Sequence, residues 1–237
     1  MYPSRLPIAE PAGHTRFKEP VKLSGYALLF SGGKESTYAL VKAHAANLKV
    51  NHLICTIYDF PRPSPHTLNM DVVEKISEAV GVPLIKNDAR GKDSREALIN
   101  TIKNLHVEGI IAGDVFVEEH RKWLESICGE LGLQCVEPLW GMNTKNLLRE
   151  EVNYGLRPLI VGVQTKFIDA SWLGIKLDPQ STGELISLAE KSHMDPCGEH
   201  GEYHTLVVEG KPLRKAVKVS RKNVLFADGY GLLRLSV

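Results

Sequence analysis

The strongest constraint on the fold is an alternation that begins at Gly25. Five short apolar runs, Tyr26–Phe30, Leu53–Tyr58, Leu84–Ile85, Gly109–Ala112 and Gln134–Val136, are separated by segments with helical periodicity. Runs of this kind suit strands buried on both faces of a parallel sheet. The first helix is expected from Ser36 to about Asn47. In the second, Val72, Val73, Ile76 and Val80 share a face, and Gly81-Val82-Pro83 ends it. Ser94 is placed to cap a third, carrying Ala97, Leu98, Ile102 and Leu105, and a fourth runs through Trp123, Leu124 and Ile127. Strands joined by helices imply βαβ crossovers, hence an α/β fold with a doubly wound, mainly parallel, Rossmann-like sheet. Ligands of such sheets collect where strands run into helices. Here those places are residues 31–36, 59–67, 88–93, 113–118 and 137–140.

The rhythm changes after Trp140. Leu147–Leu156 reads as helix and Leu159–Val163 as strand, and Ser181-x-x-Glu184 fits a capping box ahead of Leu185, Ile186, Leu188 and Ala189. Thr205–Val208 and Ala216–Val219 read as antiparallel strands. The expected division is an N-terminal arm over 1–24, a nucleotide-binding part over 25–140, and a smaller α+β part over 141–237, with no flexible linker between the last two. The arm carries four prolines among its first 20 residues, which favours extended backbone and excludes a signal peptide.

Composition excludes several classes. With 43% hydrophobic residues the 237-residue chain is not disordered, and a net charge of +1 gives no dedicated nucleic-acid or membrane-binding surface. No apolar run reaches the roughly 20 residues that span a bilayer. Cys55, Cys128, Cys135 and Cys197 are too few and scattered for a disulfide framework, and no C-x-x-C pair occurs. A cytoplasmic location is the expectation.

Ser31-Gly32-Gly33-Lys34-Glu35-Ser36 lies between the first strand and the first helix. Two glycines allow a tight turn and close backbone approach to a ligand. The free N–H groups and dipole of the helix start favour an anion, to which Ser31 and Ser36 add hydroxyls and Lys34 a positive charge. A glycine turn with a capping serine is the simpler use of Ser-Gly-Gly, but the lysine, the second serine and the strand–helix setting point to phosphate. The spacing is not that of a Walker A loop.

This segment resembles the PP-loop, S-G-G-x-D-S, of the N-type ATP pyrophosphatases, with Glu35 supplying an acid one methylene longer than the usual Asp. Three further segments narrow the resemblance: Gly113-Asp114-Val115, Glu137-Pro138-Leu139-Trp140-Gly141, and the acid- and histidine-dense Asp195–Thr205, which contains GEHGEYHT. Together, from Gly25 to about Thr205, they are similar to the diphthine–ammonia ligase family, which carries PLW and G-E-x-G-E-[YF]-H-T segments.

By itself, Gly198–Thr205 reads as a tight polar loop in which Glu199, Glu202 and His204 could hold an ammonium ion, a quaternary amine or magnesium, or as a solvated acidic turn. A zinc site on Cys197, His200 and His204 matches no standard ligand spacing. Asp114 is a candidate for magnesium or nucleotide, or a helix-start acid; His66 is a candidate site histidine or an exposed loop residue. Trp140 and Trp172 are expected to pack.

The resemblance implies an adenine nucleotide alpha hydrolase-type fold and ATP with Mg²⁺ as cofactors. Ser31, Gly32, Gly33, Lys34, Glu35, Ser36 and Asp114 would bind nucleotide, and Lys34, Glu199, Glu202 and His204 would serve the reaction. That reaction joins ammonia to a carboxylate through an acyl-adenylate, with diphthine on elongation factor 2 as the protein substrate. A homo-oligomer is compatible with it, and neither membrane nor nucleic acid is an expected partner. The rival readings are a ligase for another carboxylate, a tRNA-thiolating sulfur transferase using one of the cysteines, and a non-enzymatic nucleotide-binding protein.

Overall fold

The computed structural model describes residues 24–58 and 64–237. The expected arm, apart from Ser24, and the loop residues 59–63 lie outside the described residues. Five parallel strands, β1 (Tyr26–Leu29), β2 (Val50–Ile57), β3 (Leu84–Asp88), β4 (Gly109–Ile111) and β5 (Gln134–Val136), form a sheet in the order β3-β2-β1-β4-β5. The helices between them are α1 (Lys34–Ala45), the short α2 (Pro65–Leu68), α3 (Met70–Val80), α4 (Ser94–Lys103) and α5 (Glu118–Leu131).

Alternation along β1 explains the two-sided winding. Tyr26 and Leu28 join a core with Tyr38 and Leu40 of α1 and Val72, Val73 and Ile76 of α3. Ala27 faces the opposite core, with Leu98 and Ile102 of α4 and Leu124 and Ile127 of α5. Full burial of each such aliphatic side chain is worth about 1.5–3 kcal/mol, so both helical layers are held to the sheet chiefly by this burial.

Beyond Trp140 lie α6 (Thr144–Tyr154), β6 (Leu156–Gln164), α7 (Pro179–Ser192), β7 (Tyr203–Gly210), β8 (Ser220–Ala227) and β9 (Tyr230–Ser236). The strands form an antiparallel sheet in the order β7-β6-β9-β8. Its buried residues Leu159, Val161, Leu206 and Val207 belong to the same core as Leu28, Leu40 and Ile76. The second sheet is therefore packed over the α1/α3 side of the first.

Several local expectations shift. Asp93, not Ser94, caps α4, its carboxylate accepting the Glu96 N–H at 2.8 Å. The capping box of α7 is formed by Asp178 with Ser181, so Ser181 lies inside the helix and not at its cap. Pro179 is the cause: its fixed φ suits the first helical turn, which starts the helix earlier than the serine implied. The segment Ala216–Val219 is irregular, and the strand begins at Ser220. The end of the expected 59–67 loop is not loop: Pro65–Leu68 turns as a short helix.

Candidate active site

The loop after β1 is braced from within. Ser31 and Ser36 hydroxyls lie 3.2 Å apart, the Ser31 N–H donates to Ser36 Oγ at 3.3 Å, and the Gly33 N–H donates to Ser31 Oγ at 3.2 Å. Gly32 has φ +77°, and a Cβ there would meet Ile76 Cδ1 and Leu206 Cδ2 at 3.2 Å. Only glycine combines that backbone with that clearance. Gly113, at the end of β4, has the Glu35 carbonyl 3.0 Å from where its Cβ would stand, so its lack of a side chain lets the strand end touch the start of α1.

β7 binds this loop directly. The Val207 N–H donates to the Gly32 carbonyl at 2.8 Å, and the Lys34 N–H donates to Thr205 Oγ1 at 3.2 Å. The turn before β7 therefore lies over the start of α1. A cleft of about 1600 Å³ opens there, lined among others by Ser31, Gly33, Glu35, Asp114, Glu199 and His204. Apolar residues, among them Ile54, Tyr58, Ala112 and Leu124, also line it.

The candidate residues take distinct positions. Lys34 is only 2% exposed; its ammonium pairs with Glu35, donates to the Cys197 carbonyl at 2.6 Å, and sits 4.8 Å from the centre of the Tyr203 ring. Burial is the largest influence and pulls its pKa down, but Glu35, Tyr203, Cys197 and Glu151 together outweigh it and hold the ammonium well above the ordinary lysine value. Glu199 lines the cleft; burial, then the nearby charge of Glu35, pushes its carboxyl up to about 8.

Glu202 is buried and accepts the backbone N–H groups of Asp195 at 3.0 Å and His200 at 2.9 Å. It shapes the turn that carries Glu199. His204 is not part of a loop but lies on β7, its ring edge-on to His66 with centroids 5.6 Å apart. The His66 ring lies 3.6 Å from the Cβ position of Gly33, its Nδ1 is buried without a partner, and burial lowers its pKa to about 4, so the imidazole is neutral. Asp114, partly exposed in the cleft, contacts His120 Nδ1 at 3.2 Å.

Three further contributors take positions that only the fold reveals, although Glu137 and Thr205 lie in segments the sequence already singled out. Glu151, on α6, is completely buried, and neither carboxylate oxygen has a hydrogen-bond partner. Glu137 stands 3.4 Å from the Arg121 guanidinium, and burial raises its carboxyl to about 6. Thr205 joins the loop only because strand pairing carries it there. Trp140 carries Arg121 over its ring at 4.6 Å, while Trp172 packs at the edge of the main core.

Among the described residues, the potential metal-ligating atoms that converge are those of Glu35, Glu151 and Cys197, not Cys197, His200 and His204. This group does not fit a magnesium ion. Magnesium needs hard oxygen ligands, whereas the Cys197 thiol is held protonated by burial and the Lys34 ammonium already lies beside it. The accessible Asp114 carboxylate has the chemistry magnesium requires, bound mainly through water and substrate phosphates. No helix among the described residues is long and apolar enough to cross a membrane.

Comparison with known proteins agrees with this arrangement along the chain. Residues 25–135 match the diphthamide synthase N-terminal domain, and residues 143–236 match the diphthamide synthase C-terminal domain. The chain is 28% identical to the diphthine–ammonia ligase of Homo sapiens, with 86% of each protein covered. It is 26% identical to that of Danio rerio, covering 84% of this chain and 88% of the relative. With the phosphate-type loop, the strand clamped on it and both domain matches in register, the chain belongs to the diphthamide synthase family of ATP-using ligases, enzymes that form a C–N bond.

Proposed function

We propose that this protein transfers AMP from ATP to a carboxylate and then amidates that carboxylate with ammonia, releasing pyrophosphate and AMP. The carboxylate belongs to diphthine, the modified histidine of elongation factor 2. The observation that carries the reading is the pair of bonds from β7 to the loop, Val207 to Gly32 and Thr205 to Lys34. They set the Glu199 turn beside the place where a nucleotide's phosphates would rest.

In this reading the cleft has two jobs. Ser31, Gly32, Gly33, Ser36 and the N–H groups of the first turn of α1 hold the departing pyrophosphate; donors fixed in advance stabilise the charge that develops there. Lys34 adds its charge from beneath and ties the loop to the turn. The apolar lining at Ile54 and Leu124 takes the adenine. Magnesium, when bound, offsets phosphate charge, and Asp114 would hold it. Residues 25–140 thus supply the nucleotide site and 141–237 the acceptor side. Glu199 and His204 face acceptor and ammonia, with Glu202 fixing Glu199.

Two observations favour this over its rivals. A single ligand usually occupies about 300–1000 Å³, so a cleft of about 1600 Å³ leaves room for an acceptor beside ATP. Sulfur transfer needs an accessible thiolate, but Cys55, Cys128 and Cys197 are buried, and burial pushes both Cys55 and Cys135 up to about 12.

The test is turnover with ATP, Mg²⁺, ammonium and diphthine-bearing elongation factor 2. AMP should appear in step with amide. ADP as the product, or AMP release indifferent to the factor, would overturn the reading.

A further inference from the structure

The second sheet ends in a strand with an open edge. Among the described residues β8 pairs with β9 alone, so one side of its backbone carries N–H and C=O groups outside any ladder. No residue of β8 is buried. Val224 and Phe226, which share one face of the strand, are 41% and 68% exposed.

The chain leading into this edge is uniformly basic. Lys211, Arg214, Lys215, Lys218, Arg221 and Lys222 are six cations within a stretch of twelve residues that holds no acid, in a chain of net charge +1. Arg214 lies against Gly81, and Arg221 donates to the Gly174 carbonyl at 2.8 Å. Among the described residues none of the six pairs with a carboxylate.

The edge runs towards the site. At its far end Ser220 pairs with Ser236, and at its near end Ala227 pairs with Tyr230. Tyr230 pairs in turn with Gln164, whose N–H donates to the Glu202 carbonyl at 2.7 Å. The Tyr230 hydroxyl lies 3.9 Å from the Cβ position of Gly201. One end of β8 therefore meets the turn that carries Glu199, and the other meets the basic stretch.

We propose that β8 is the docking strand for the protein substrate, whose extended, acidic segment adds to the sheet along the open edge and leads to the acceptor side of the cleft. This proposal rests on the amidation reading above. Backbone pairing holds the segment, Val224 and Phe226 receive its apolar side chains, and Lys218 and Lys222 receive its acids. A second copy of this chain would bring the same cations to the edge, so charge selects against it. A nucleic acid would satisfy the cations but leave the strand edge and Phe226 uncovered.

Lys218→Glu with Lys222→Glu, and separately Phe226→Asp, should each raise the KM for diphthine-bearing elongation factor 2 roughly tenfold. The KM for ATP, and kcat at saturating factor, should stay within about twofold. Added salt should raise the wild-type KM for the factor, and do so much less in the lysine pair variant. Hydrogen exchange reads the edge without turnover. Amides of residues 220–227 should exchange about tenfold more slowly once the factor is added, and Phe226→Asp should abolish that slowing.

An unchanged KM for the factor in both variants would overturn the docking strand, whether a second copy or RNA proved to occupy the edge instead. So would exchange over 220–227 that the factor does not slow, including an edge already protected in the free enzyme. Factor-dependent slowing without AMP release would instead count against the reaction and leave the docking strand standing.

Discussion

The Lys34 ammonium donates to the Cys197 carbonyl at 2.6 Å, bridging 163 residues of chain between the start of α1 and the turn before β7. The lysine of the phosphate loop is thus a buried tie between the two sheets. Lys34→Met would strip from Glu35 the positive charge that pairs with it and leave buried carboxylates facing one another. Removing one partner of a buried ion pair typically costs about 3–5 kcal/mol, and urea denaturation of the variant should show a loss of that order. A loss below about 1 kcal/mol would mean that the tie carries little of the packing between the sheets.

Thr205 offers a finer probe of the same junction. Its hydroxyl accepts the Lys34 N–H, and the side chain is 3% exposed. Thr205→Val keeps the shape but leaves that N–H without a partner, a cost of about 1–3 kcal/mol. Thr205→Ser restores the acceptor. The valine variant should lose pyrophosphate release along with stability, while the serine variant recovers both. Equal behaviour of the two would show that the methyl group, not the hydroxyl, matters.

His66 gives the fold an acid sensitivity with a definite sign. Burial holds its folded pKa near 4, below the ordinary value of 6.5. Between those values the unfolded chain binds a proton that the folded chain refuses, so this residue's contribution to stability falls as pH drops from 6.5 to 4. The full difference amounts to about 3 kcal/mol. Comparing unfolding free energies of wild type and His66→Gln across pH 4–8 isolates it: the wild type should lose ground against the variant on acidification. A pH-independent gap would show that the ring is solvated enough to protonate freely.

What was legible in the sequence follows from how local each signal is. The five parallel strands and α3, with Val72, Val73, Ile76 and Val80 buried and Gly81 at φ +80°, are set by short-range patterning. The phosphate-type loop is likewise contained within six residues. The roles inside the site are different, because they depend on pairing across the chain. Glu202 and Glu199 are both acids of one motif, yet the first is consumed by the Asp195 and His200 N–H groups while the second faces the cleft. Glu151 looks like any exposed helix acid beside Arg149 and Glu150 until the packing of α6 on α1 buries it. The misplaced start of α7 shows the same limit at a smaller scale: Pro179 and Asp178 together outcompete the serine that alone looked like a cap.

Glu199 supplies a case in which function and stability pull apart. Burial, and after it the charge of Glu35, raises its carboxyl to about 8, against an ordinary 4.5, with Lys34 opposing the shift. Between pH 4.5 and 8 the folded protein holds a proton that the unfolded chain releases, so the residue's contribution to stability falls as pH rises through that window. Glu199→Gln removes the penalty. The variant should be more stable than wild type by about 2–4 kcal/mol at pH 8.5, with the advantage gone below about pH 4.5. It should gain that stability while losing amide formation, the usual trade where a strained group serves a reaction. Thermal unfolding of both proteins at pH 4.5 and 8.5 decides it: a variant no more stable than wild type at the higher pH would place Glu199 in water, ionised and unburdened.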